Sequence, residues 1–259
     1  MTNSIEWCPA GNSFLAEVEG CYAALMETAR RRVPQPEAAE SGLGGRLLYA
    51  GLLDEAGRAL VVAGNIAGAA TLTATADPTL QKQAVRDGVV DFLVTSLDEA
   101  LRILKNEIRK GEAVAVCVAA DPKAMEREMA ERGVAPDLLR DVALASSDGY
   151  APGVVSVSWR VATMPVQWLP KLDALAVECL PAQAGGARRW LQRAPRYMGR
   201  MVKGERLLTA DAEFAACFAE RVRRSVEAGE IATPVTVHVC GAKGCEESTF
   251  SPGAETIAR

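Results

Sequence analysis

The chain has 259 residues, 49% of them hydrophobic but only 5% aromatic, and a formal net charge of −4. That length buries a core without staples, and the negative balance excludes a global basic field that would draw the chain to nucleic acid. No apolar run reaches the roughly 18 residues that span a bilayer.

Two further expectations concern compartment. The first ten residues lack a basic flank and an apolar h-region, so no secretory signal is expected. Seven irregularly spaced cysteines read as reduced thiols of a cytoplasmic protein, not as a disulfide scaffold.

Residues 12–32 predict an amphipathic helix capped by Asn12 or Ser13, with Phe14, Leu15, Val18, Tyr22, Leu25, Met26 and Ala29 on one face. The Pro-, Ser- and Gly-bearing stretch 33–45 is a connector. Strands and helices then alternate. Strands are expected at 46–50, 69–75, 89–94 and 113–118, and helices at 54–68, from Asp77-Pro78 to Asp87, from Leu97 to Lys110, and from Asp121-Pro122 to near Gly133. Such alternation implies βαβ units and a parallel sheet. The two Ala-Asp-Pro units lie 44 residues apart; Asp as cap and Pro in the first turn explain that likeness without a true repeat.

Beyond residue 150 the pattern is less regular. Strands are expected at 153–159, 172–180 and 233–241, a helix from Thr209 to Ala228 with Phe214, Phe218, Val222 and Val226 on one face, and a loose tail from Glu246. The resulting expectation is an α/β fold: a mostly parallel, Rossmann-like three-layer sheet with an N-terminal helix and an α/β C-terminal extension. Its boundaries are 1–44 for helix and linker, 45–160 for the core, and 161–259 for the extension packed on the same sheet.

Open parallel sheets bind ligands beyond the carboxyl ends of their strands. Here that rim comprises Gly51, Leu52, Asp77, Asp121, Asp141, Ser146, Ser147, Asp148 and Tyr150. It is acidic, which suits a cationic or hydroxyl-rich ligand, or equally suits helix capping. Asp77 stands 26 residues after Gly51, about where a ribose-binding acid is expected; capping the helix at Pro78 is its competing role.

Residues 188–206 hold seven Lys and Arg against one Glu, so the rest of the chain carries −10. Arg189, Arg193, Arg196, Arg200 and Lys203 step by 4 or 3, as on one helical face, although Pro195 would kink or delay such a helix. That face is a candidate anion site; the alternative is a solvated surface. His238, Cys240 and Cys245 lie close in sequence, but zinc sites favour tighter pairs and four ligands, so no metal is expected. A Ser-His-Asp triad would need His238, the sole histidine, and no G-x-S-x-G elbow is present.

Residues 45 to about 153 resemble the NAD-binding Rossmann-like domain of the urocanase (urocanate hydratase) family. The resemblance rests on "YAGLLDEAGRALVVAGNIAGAA", "TSLDEALRI", "ERGVAPDLLRDV" and "SSDGYAPG", four segments in the family's order. It implies a Rossmann fold and an NAD site. Gly51 keeps the first glycine of the family's loop and Gly57 matches one of the second pair, but the intervening glycine pair falls on Leu53 and Asp54. A pyrophosphate there would meet Asp54 and Glu55. Each like-charge pair at 4 Å costs roughly 4 kcal/mol at an effective dielectric of 20, against about 8 kcal/mol for a micromolar ligand. NAD binding is therefore expected to be weakened or lost. The family's imidazole-binding and catalytic-cysteine regions have no match here, so urocanate hydration is not expected.

The expected function is a binding protein for a nucleotide or small metabolite at the strand-end rim. The rivals are an NAD-dependent, lyase-like enzyme with a divergent catalytic half, and a non-catalytic assembly protein. A small-molecule ligand is expected as partner and neither nucleic acid nor membrane is; a homo-oligomer is left open.

Overall fold

The computed structural model describes residues 13–32, 42–141, 153–242 and 244–252. They fall into two compact units. One comprises residues 16–148 and 192–201; the other comprises 149–191 and 202–259 with residues 1–15.

The first unit contains helix α1 (Ser13–Arg32, from Ala16 on), β1 (Leu47–Leu52), α2 (Glu55–Ala67), β2 (Ala70–Ala74), α3 (Pro78–Asp87), β3 (Phe92–Val94), α4 (Leu97–Lys110), β4 (Val114–Val118), α5 (Pro122–Glu131) and β5 (Leu138–Leu139). The strands form one five-stranded sheet in the order β3-β4-β2-β1-β5, every pairing parallel. The four expected strands are thus neighbours in one sheet, and the short β5 is an addition. Strand β3 starts later than expected. Val89 and Val90 close the turn after α3, and the Asp91 carboxylate, not a ladder carbonyl, accepts the Ala115 N–H at 2.8 Å.

The two faces of this sheet divide by parity. Leu47, Tyr49, Leu72, Val114, Val116 and Val118 pack under Leu97, Leu101 and Leu104 of α4 and Met125 and Met129 of α5. On the opposite face α2 lies so close that a Cβ on Gly64 would come within 2.7 Å of both Leu48 and Thr71. Three layers result, as the alternation of short apolar and helical runs implies.

The second unit holds β6 (Val154–Val161), α6 (Pro165–Cys179), the first half of α7 (Gly185–Met198), β7 (Glu205–Asp211), α8 (Ala212–Glu227), β8 (Val235–Gly241) and β9 (Gly244–Phe250). Its strands do not join the parallel sheet. They form a separate antiparallel one in the order β7-β6-β8-β9. Trp159, Phe214 and Phe218 form its aromatic core, with Trp159 and Phe218 centroids 4.7 Å apart. The half-buried Asp173 carboxylate accepts the Trp159 indole N–H and the Arg206 Nε–H.

Three expectations fail in this unit. Residues 172–180 are not a strand but the end of α6, because Trp168, Leu169, Leu172 and Ala176 recur at helical spacing and are buried together. The helix expected from Thr209 begins at Ala212, where Asp211 caps it by accepting the Phe214 N–H at 2.7 Å; the residues before it form β7. The tail from Glu246 is not loose up to Phe250, since β9 pairs with β8 along seven positions. A further correction concerns the thiols: Cys240 and Cys245 face each other across the β8–β9 hairpin and are joined by a disulfide.

Candidate functional site

The turn between β1 and α2 is built by three glycines with three different tasks. Gly51 has φ of +67°, which ends the strand with a twist that only glycine adopts without strain. Gly57 lies so near the strand end that a Cβ would stand 2.0 Å from the Leu52 carbonyl oxygen. Gly64 provides the helix-to-strand contact already described. The Gly57 clearance lets the helix start approach the strand end closely, as a glycine of a dinucleotide-binding turn also does.

Asp54 is the N-cap of α2. Its Oδ1 accepts the Gly57 N–H at 2.8 Å, and Arg140, just past β5, donates Nη2 to Asp54 Oδ2 and Nη1 to the Leu52 carbonyl, both at 2.9 Å. A carboxylate and a guanidinium of the chain itself thus occupy the place where helix amides and dipole would hold a phosphate. Burial alone would raise the Asp54 carboxyl, but the hydrogen bonds from Arg140 and Gly57 outweigh it and hold its pKa below the usual 3.8. Glu17 of α1 belongs to the same electrostatic group. Burial raises its pKa above 4.5, Glu55 and Asp54 raise it further, and Arg140 opposes them. Burial, with help from Glu17, pushes the Cys21 thiol up to about 12, so it is not a poised nucleophile.

The other rim positions repeat the capping pattern. Asp77 Oδ1 accepts the Thr79 N–H at 2.7 Å, and Asp121 Oδ1 accepts the Ala124 N–H at 3.0 Å. Ser96 Oγ accepts the Glu99 N–H, while the Glu99 carboxylate accepts the N–H of Thr95, the residue before the cap, at 3.0 Å. Every helix that follows one of the first four strands therefore has an amide at its start satisfied by its own cap residue. Leu52 is 41% exposed beside this turn, and Asp141 is exposed. Ser146 and Tyr150, with Ser147 and Asp148, lie outside the described residues.

Gly51, Leu52 and Gly57 lie together at the β1–α2 turn, and Asp77 and Asp121 cap the helices after β2 and β4, while Arg140, Glu17 and Gly64 were not among the residues the sequence singled out. Arg140 closes the "DLLR" segment of β5, and only the pairing of β5 with β1 brings it to the turn.

The basic segment is not one face. Helix α7 continues through Pro195 to Met198, so Arg200 lies beyond it and donates Nη1 to the Arg86 carbonyl at 3.1 Å, near the end of α3. Arg196 lies over the Tyr197 ring at 5.5 Å. Arg189 groups with the second unit, whereas Arg193, Arg196 and Arg200 group with the first. Arg188 donates to the carbonyls of Val177 and Leu180 and so closes the end of α6. In the second unit, His238 is buried with Nδ1 3.5 Å from Glu247 Oε2, and no partner reaches its Nε2. Among the described residues no group of three or more His, Cys, Asp or Glu is placed to hold a metal, and no helix is long and apolar enough to cross a membrane.

Residues 17–168, more than half of the chain, match the family described as the urocanase Rossmann-like domain. The match starts within α1 and runs into α6, beyond both limits of the resemblance read from the sequence.

Proposed function

The chain belongs to the urocanase family through its Rossmann-like domain, and from that premise we propose that it binds a nucleotide or small metabolite at the strand-end rim without hydrating urocanate. The observation that carries this reading is the Asp54 carboxylate on the α2 amides, clamped by Arg140. Family membership suggests NAD, but the residues of this turn do not fit a pyrophosphate: the Asp54 carboxylate takes the Gly57 N–H at the start of α2, where a phosphate would be held. Arg140 offsets the charge of Asp54, so Glu55 and Glu17 carry the repulsion and occupancy supplies the rest. The remaining rim offers the carboxylates of Asp77 and Asp121, each bonded to one amide through one oxygen, which leaves lone pairs for ligand hydroxyls. Hydroxyl-rich or cationic groups suit such a rim better than phosphates do.

Calorimetric titration tests this. The natural protein is expected to bind NAD no better than about millimolar, near 4 kcal/mol. The D54G/E55G variant should bind it more tightly, because the amides are freed and the like charges removed. The same variant should lose about 1 kcal/mol of stability with the cap. Micromolar binding of NAD by the natural protein would refute the reading.

A further inference from the structure

The second unit carries four of its cysteines as two pairs. Cys240 and Cys245 are bonded. Cys179 and Cys217 are free thiols with their sulfurs 2.7 Å apart, closer than the spacing of an ordinary contact between unbonded sulfurs. The first unit differs: its Cys21 and Cys117 are single and buried. Cys179 is the last residue of α6, and Cys217 stands in the second turn of α8. The neighbouring residues fix this meeting. Glu178, one residue before Cys179, forms an ion pair with Arg221, one helical turn after Cys217. The two sulfurs differ in access, since Cys217 is exposed and Cys179 only half-exposed.

We propose that Cys179 and Cys217 form a redox-active thiol pair that is oxidised by low-molecular-weight disulfides, with Cys217 as the attacking and Cys179 as the resolving sulfur. In the first step the Cys217 thiolate attacks one sulfur of the small disulfide, the S–S bond of that molecule breaks, and one small thiolate leaves. In the second step the Cys179 thiolate attacks the Cys217 sulfur and expels the other small thiolate. The pair loses two electrons and two protons, and the small disulfide gains two electrons to become two thiols. Exposure assigns the order: Cys217 is the more accessible of the two to an incoming disulfide, and Cys179, its sulfur 2.7 Å away, is placed to resolve the mixed species. Burial first, and the neighbouring Cys217 second, push the Cys179 thiol up to about 12, which makes it a poor first attacker; the part of that rise owed to Cys217 ends once Cys217 is in the mixed disulfide.

The test uses the full chain and oxidised glutathione, with thiol alkylation and peptide mass mapping as readouts. The natural protein is expected to lose two alkylatable thiols and to yield a cross-linked peptide pair joining Cys179 to Cys217. C179S should stop at a stable mixed disulfide on Cys217. C217S should form mixed disulfide at Cys179 at least tenfold more slowly than C179S forms it at Cys217. The oxidised natural protein should also melt at a higher temperature than its reduced form, a shift absent from the C179S/C217S variant. A natural protein that stops at the mixed disulfide, or that cross-links neither sulfur, overturns the proposal; so does a C217S variant that reacts as fast as C179S.

Discussion

Asp54 and Glu17 sit within one electrostatic group yet respond oppositely to acid. The folded state binds the Asp54 proton less tightly than the unfolded chain does, so the stabilisation by its clamp is complete above pH 3.8 and is lost as the pH falls through the depressed value. Glu17 is the reverse. Its raised pKa favours the fold below 4.5, and that benefit fades as the pH rises through the raised value. E17Q should therefore raise the stability at pH 7, by about a few tenths of a kcal/mol for a half-buried group whose charge is partly screened by solvent. The difference between variant and natural protein should close as the pH approaches 4.5; a gap that widens in acid would contradict the assignment. Capping by Asp54 was legible in the sequence because a cap is a local arrangement, read from Asp followed by a helical run. Arg140 was not legible: its bond to Asp54 joins residues 86 apart, and nothing near "DLLRDV" announces a partner. The repulsion inferred from Asp54 and Glu55 alone was for that reason overstated, since a guanidinium offsets one of the two charges.

Elements of the first unit were readable because caps, Gly or Pro punctuation and short apolar runs agree with one another there. Helix α4 spans the predicted Leu97–Lys110, with Ser96 before it and Gly111 after it. In the second unit these signals compete. The run "LDALAVECL" is apolar enough for a strand, and only its continuation upstream to Trp168 shows the helical period. The glycines of α2 supply a test at this scale. G57A puts a Cβ on a backbone carbonyl at 2.0 Å, while G64A meets side chains at 2.7 Å. Overpacking costs about 1–3 kcal/mol, and the backbone clash belongs at the upper end. G20A, in α1 with nothing within 4 Å of its Cβ, should instead stabilise by about 0.5–1 kcal/mol. Chemical denaturation of the three variants checks both the order and the sign, and equal losses in all three would count against the close approach of α2 to its strand.

The whole molecule combines a family domain with a second α/β unit, and the activity expectation belongs to this scale. Incubation with urocanate and NAD should leave urocanate absorbance unchanged; a steady loss proportional to protein would contradict the proposed function. The fold class was legible because a parallel sheet imposes its alternation on every unit. The second sheet was not, because β6 pairs with β7 and β8 across intervening helices, and only β8–β9 is a local hairpin. Strand β5 is the shortest strand of the first sheet, and its position has a kinetic consequence. It is held to β1 by two residue pairs, by the Asp137 carboxylate, which accepts the Leu47 N–H 90 residues away and pairs with Arg46, and by the Arg140 clamp. Such contacts close a long loop, so their entropic cost falls late in folding, after β1, β2 and β4 have assembled. The same edge is then the first part of that sheet to open in the native state. Amide exchange at Leu138 and Leu139 should outpace that at Leu72 and Val116, and replacing Arg140 should speed unfolding more than it slows refolding.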